Sequence, residues 1–206
     1  NVRPFDTRYT YFTGKTNGFL ARPRRPSTKN MLSEGAMAIV AKRQTKEEKF
    51  SSLWVTSSPI NEGFFSIDPR GRETIFPLKV EAEGDDKGSE TLFTQATINI
   101  RTDFLGPAFA ELPSNFVFSA IYALLSATEY QRRYIQYLKE DFPRVPLPKD
   151  KILCTTLSKL GEELILVQCS NENITNENYD TNEKLPAEYR NLIGQSVGRG
   201  FPKYSN

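Results

Sequence analysis

Apolar residues change their spacing near the middle of the chain, and this change carries most of the fold prediction. Before residue 101 they form short runs: Met37-Ala38-Ile39-Val40-Ala41 and Leu53-Trp54-Val55-Thr56 are unbroken and of strand length. Phe5, Tyr9, Tyr11 and Phe12 mixed with Thr7, Thr10 and Thr13 suit a strand over 5–13, ended by Gly14. Residues 73–80 read as a strand that Pro77 confines to an edge or a bulge, and residues 95–101 alternate Ile98 and Ile100 with Thr97 and Asn99. Ser27 or Thr28 is placed to cap a short helix toward Leu32.

After residue 110 the spacing becomes helical. Ser114 is placed to cap a buried helix through Phe118, Tyr122 and Leu125. A second helix follows over 129–140, with Tyr130, Tyr134, Tyr137 and Leu138 on one face and Arg132, Arg133, Gln136 and Lys139 on the other. Three prolines in 143–148 force an extended connector. Asp150 is placed to cap an amphipathic helix over 151–168, weakened at Gly161.

Together these elements predict an α+β fold, a mixed or antiparallel β-sheet in the N-terminal half backed by helices from the C-terminal half. Residues 1–150 form the core of the domain in this reading, 151–169 its packing helix, and 170–206 a flexible linker and tail. Residues 81–90 read as an acidic loop. None of the apolar stretches reaches the ~20 residues needed to cross a bilayer.

Charge adds a strong polarity. Residues 1–49 hold 11 Lys and Arg against 4 Asp and Glu, a local net of +7, whereas the whole chain nets only +2. A basic segment interleaved with Tyr and Phe is the footprint of a nucleic-acid-facing surface. Within it Arg22, Arg24, Arg25 and Lys29 are suited to phosphate or guanine contact, and Pro23 and Pro26 stiffen the loop. Arg43 and Gln44, at the exit of a predicted strand, pair a guanine reader with an adenine reader, and Arg8 supports them. Tyr9, Tyr11, Phe12 and Trp54 read first as core and second as stacking platforms. Arg132 and Arg133 read as a solvated helix face.

The absence of histidine excludes Ser-His-Asp and Cys-His catalysis and any His-ligated metal. Asp68, Glu73 and Lys79, or Asp85 and Asp86 with Lys87, only loosely suggest a nuclease site and are read as coincidence in a chain that is 25% charged. Cys154 and Cys169, fifteen residues apart on one helix, would be separated by roughly 22 Å, too far for a disulfide. Two thiols fit a cytoplasmic location. The opening Asn1-Val2-Arg3-Pro4, with neither Met nor a signal sequence, reads as a piece excised from a longer polypeptide.

The stretch from Arg3-Pro4-Phe5-Asp6-Thr7-Arg8-Tyr9, with Arg22-Pro23-Arg24, Met31-Leu32, Arg43-Gln44 and Phe76-Pro77-Leu78, resembles the C-terminal specificity region of Type ISP restriction-modification enzymes and related adenine methyltransferases. The ordered likeness continues through Ile121-Tyr122-Ala123-Leu124-Leu125-Ser126, Asp141-Phe142-Pro143-Arg144-Val145-Pro146-Leu147 and Leu160-Gly161-Glu162-Glu163-Leu164. The family's glycine-glycine-tyrosine and tryptophan-leucine-lysine stretches have no counterpart at the end of the chain, a departure that reads as truncation or divergence. The resemblance implies a target recognition domain that binds double-stranded DNA. It places S-adenosylmethionine in a neighbouring methyltransferase domain of the same polypeptide; this chain carries neither the family's asparagine-proline-proline-aromatic motif nor a cofactor glycine motif, so no catalysis or cofactor is carried over to it, and no membrane contact is expected. The competing reading is an intramolecular coupling module that docks other domains through Tyr130, Tyr134 and Tyr137 and touches DNA little.

Overall fold

The computed structural model describes residues 2–10, 28–65, 72–81 and 96–172. At its centre lies β1 (Ala38–Lys42), in which every residue is buried. It is flanked by β2 (Leu53–Thr56) and β3 (Glu73–Pro77), antiparallel on both sides, giving the order β2-β1-β3. Pro77 thus sits on an edge strand, where its missing N–H costs no ladder bond. The alternation of side chains along β1 and β2 feeds two cores. Ile39 and Val55 face the helices, joining Phe118, Tyr122 and Ile165, while Val40 and Trp54 pack with Phe64 on the other side.

The strand expected over 73–80 is split. At Leu78 the chain leaves the first sheet and enters a second, in which β4 (Lys79–Glu81) pairs antiparallel with β5 (Ala96–Ile98). The cause is tertiary: the Leu78 N–H donates to the Met37 carbonyl and its own carbonyl accepts from the Asn99 N–H, both at 2.8 Å. Its side chain is buried in the main core.

After a 3₁₀ turn at Thr102–Phe104 the helical half consists of α1 (Pro107–Ala110), α2 (Ser114–Ser126), α3 (Thr128–Glu140) and α4 (Lys151–Glu172). Ser114 lies inside α2, with Pro113 at the cap position and no side-chain capping bond, because the proline's extended backbone delivers the chain into the first turn. Asp150 does cap α4, accepting from the Ile152 N–H at 2.8 Å. A short turn at Lys29–Met31 is 3₁₀, and Thr28 makes no side-chain cap bond there.

α2 and α4 cross through small residues. Ala120 and Cys154 are fully buried between them, and the Ser158 hydroxyl lies 2.9 Å from both the Phe116 and Cys154 carbonyls. At Gly161, read from the sequence as a weak point of the helix, the backbone of α4 lies directly against that of Ser119 on α2. Gln168 ties three elements, its Oε1 accepting from the Tyr122 hydroxyl on α2 and the Val55 N–H on β2. Along α4 the apolar residues Ile152, Leu153, Leu160, Leu164 and Leu166 are exposed among charged ones such as Lys159 and Glu162. Among the described residues, no helix is long and apolar enough to cross a membrane.

Candidate nucleic-acid interface

The exit of β1 is fastened to the end of α3. The Arg43 Nε donates to Asp141 Oδ1 at 3.1 Å, and Gln44 Nε2 donates to the Glu140 carbonyl at 3.1 Å. Phe50, at the far end of the same loop, is buried against Leu125, Tyr130 and Leu138. The loop over 43–50 is therefore anchored at both ends on the α2–α3 layer. Next to it Phe76 of β3 meets Phe142 edge to face, with ring centroids 5.4 Å apart. The extended connector is pinned in turn by the Tyr130 hydroxyl, which donates to the Arg144 carbonyl at 2.7 Å.

Asp141 is the electrostatic focus of this corner. The N–H of Phe142 and the Arg43 guanidinium hold its carboxyl below the ordinary range, and Arg144 adds to the effect. Asp141 therefore stays ionised at neutral pH beside two arginines. Both members of the Arg43–Asp141 pair reach solvent, with side chains 64% and 50% exposed. Arg43 uses only its Nε, so the two Nη groups make no hydrogen bond among the described residues. Gln44 likewise spends one of its two amide hydrogens and keeps the other, with its oxygen, outside that bond.

Of the other residues singled out by sequence, Arg8 is held by its near neighbour Asp6, with Nε and Nη2 each 3.1 Å from a carboxylate oxygen. That pairing lowers the Asp6 carboxyl and raises the guanidinium. Lys29 opens the 3₁₀ turn. Arg22, Arg24 and Arg25 lie outside the described residues, as do Tyr11 and Phe12, the acidic loop from residue 82, and the tail from residue 173. Arg132 pairs with Glu129 one helical turn away, as a solvated face would.

Several expectations change. No strand forms over 5–10; residues 2–6 instead make a tight turn with an isolated Arg3–Asp6 bridge, favoured by the local Asp6–Arg8 pair over a sheet partner. Phe5 enters the left-handed region at φ 64° and sets its ring edge-on to Trp54 at 4.7 Å. Trp54 is core, but Tyr9 is 92% exposed. The aromatic face expected to dock other domains is largely internal: Tyr130 is buried, Tyr134 is half-buried against it at a kink in α3, and Tyr137 alone of the three is exposed.

Glu73, one of the carboxylates that loosely suggested a nuclease site, is engaged with the protein itself. Its carboxylate sits 4.0 Å from the Lys42 ammonium and accepts from the Gly63 and Phe65 N–H groups, with both ionic side chains about 5% exposed or less. No group of three or more potential metal ligands occurs among the described residues.

Sequence reasoning does not single out Asp141 and Arg144 as site residues. Both lie in the Asp141-Phe142-Pro143-Arg144 stretch that contributes to the family resemblance, but nothing local marks a partner 98 positions away.

A family model described as the Type ISP C-terminal specificity domain matches residues 1–197. Among solved structures, the fold is similar to part of the cryo-electron microscopy structure of a DrdV–DNA complex, with a TM-score of 0.60 and 17% sequence identity. The likeness covers 84% of this chain and 16% of that chain, so it is one of fold over a small part of a much longer polypeptide. No curated protein matches the sequence. With nearly its whole length matched, the chain belongs to the Type ISP C-terminal specificity domain family.

Proposed function

We propose that this chain selects the DNA sequence on which a Type ISP restriction-modification enzyme acts. The observation that carries the reading is the match to a specificity-domain family over residues 1–197. The likeness in fold to part of a protein–DNA complex supports it, and so does the basic bias of residues 1–49. In this reading Arg22, Arg24, Arg25 and Lys29 neutralise phosphates and set the register on the duplex. Arg43 offers its Nη pair to guanine O6 and N7, Gln44 retains the donor and acceptor that adenine needs, and Arg8 contributes charge at the edge. A neighbouring methyltransferase domain on the same polypeptide would bind S-adenosylmethionine and modify the chosen adenine, and no chemistry is assigned to this chain.

The test is selection from a randomised duplex pool by the full-length protein, followed by affinity measurements over a range of salt. A defined motif is expected. Changing Arg22, Arg24 and Arg25 to Ala should flatten the slope of log K against log salt by about 0.9 for each phosphate no longer neutralised. No motif, together with an unchanged slope, would overturn the proposal.

A second reading, docking onto other parts of a longer polypeptide, is favoured by a stripe of exposed leucines on α4. Leu153, Leu160 and Leu164 are each more than 40% exposed, and with Leu157 they follow the 4-3-4 spacing that seats another helix. Exchange of this domain between relatives separates the two readings: recognition moves the target sequence with the domain, and docking alone leaves it with the host.

A further inference from the structure

From the geometry of the Arg43–Asp141 pair we infer that Asp141 is a positioning residue for base recognition, aiming the Nη edge of Arg43 outward as a fixed fork for one guanine. This rests on the specificity reading above and goes beyond it by assigning a role to a residue on a different element, 98 positions away in sequence.

Three observations support it. The bond from Arg43 runs through Nε, at 3.1 Å to Asp141 Oδ1, and an arginine held at Nε presents its opposite end, the two Nη groups, in the plane that matches guanine O6 and N7. Those Nη groups make no hydrogen bond among the described residues, and the Arg43 side chain is 64% exposed, so the fork faces solvent. The aspartate is itself fixed. It follows α3 directly, its N–H donates to the Tyr137 carbonyl at 3.0 Å, and the next residue packs edge-on against Phe76.

An unconstrained arginine loses rotamer freedom when it binds, whereas a guanidinium already held in orientation loses less. The same restraint acts on specificity. A fork fixed in direction cannot swing to a neighbouring phosphate or base, so a mismatched base pair leaves its donors unmet. Gln44, bonded to the Glu140 carbonyl beside it, keeps the backbone at the exit of β1 in register with the end of α3.

The experiment compares base preferences from a randomised duplex pool for the full-length wild-type protein and the variants Arg43→Ala, Asp141→Ala and Asp141→Asn. A motif with guanine at one position is expected, preferred by roughly 5- to 150-fold over other bases. Arg43→Ala should remove the preference there and leave the other positions intact. Asp141→Ala should weaken the preference at that same position, with the salt slope unchanged. Asp141→Asn should retain part of it, because an amide oxygen still accepts from Nε. A merely structural role for Asp141 would lower affinity for every sequence alike and would not single out one base pair.

An Asp141→Ala variant with unaltered preference at the Arg43 position overturns the inference. So does an Arg43→Ala variant that loses affinity uniformly and flattens the salt slope, the behaviour of a phosphate-binding side chain. In both cases a wild-type motif would leave the specificity reading standing. Failure of the wild type to select any motif overturns that reading itself, and this inference with it.

Discussion

The α carbon of Gly161 faces the backbone of Ser119 so closely that a Cβ at this position would lie 1.9 Å from the Ser119 carbonyl oxygen. That oxygen is main chain in the middle of α2, a buried helix with no room to retreat. Gly161→Ala in an open helix would stabilise by ~1 kcal/mol through propensity. Here the sign should reverse, with a loss of about 2 kcal/mol or more as α4 is pushed off α2. Thermal unfolding of the variant checks it. Ser158→Ala, one turn earlier, removes a hydroxyl but adds no volume and should cost only ~1 kcal/mol.

Lys42 and Glu73 form a buried pair across β1 and β3, and the glutamate also holds two backbone amides of the loop at Gly63 and Phe65. Removing either member breaks a buried ionic pair, so Lys42→Met and Glu73→Ala should each cost ~3–5 kcal/mol. Glu73→Ala should be the worse, because it frees the two N–H groups as well. A Lys42→Met, Glu73→Gln double variant should regain part of the loss, since the amide oxygen can still accept from one of them. Chemical denaturation of the wild type and these three variants checks the order.

Tyr122 carries an alkaline pH dependence. Burial pushes its hydroxyl up from 10.0 to about 12, while its bond to Gln168 acts in the opposite sense. Because the folded value lies above the unfolded one, the contribution to stability is complete below pH 10 and is lost as pH rises from 10 toward 12. Denaturation midpoints across that range should fall in the wild type, and the part due to this residue should vanish in Tyr122→Phe. The late-ionising part of the tyrosinate absorbance should shrink by one group in Tyr122→Phe.

The turn at Phe5 yields an inverted order of substitutions. A non-glycine residue at φ 64° is strained by ~1 kcal/mol, and its edge-on packing with Trp54 offsets this by a comparable amount. Phe5→Ala gives up the ring packing and keeps the strain, whereas Phe5→Gly gives up both. Glycine should therefore be the milder change by thermal unfolding. Trp54 fluorescence should shift in both variants.

How far the fold is legible in the sequence depends on the range of the forces involved. β1, β2, α2, α3 and α4 each bury a face whose spacing is written locally, and the proline connector and the Asp150 cap follow from single residues. The break at Leu78 leaves no local mark because Met37 and Asn99, distant in sequence, supply its hydrogen bonds. Tyr9 departs from expectation for the same reason: the composition around it suits a strand, but among the described residues no partner strand comes to 5–10. Gly161 resembles a defect when its own helix is considered alone, because the helix that needs it lies some forty residues away. In the candidate site, charge and residue type point to Arg43 and Gln44, while their anchors on the end of α3 become apparent only in the folded chain.

The fastening of the β1 exit to α3 bears on how target specificity could be transplanted between relatives. With Arg43 and Gln44 in the base-reading role proposed above, a graft confined to their contiguous segment would bring those side chains but leave behind Asp141, to which Arg43 is bonded. On that proposal a working transplant is a two-piece cassette, one from β1 through Phe50 and one from α3 through the connector, exchanged together. Natural recombination within a single short block would then tend to yield blunted rather than altered recognition, and new specificities would arise through paired changes at both sites.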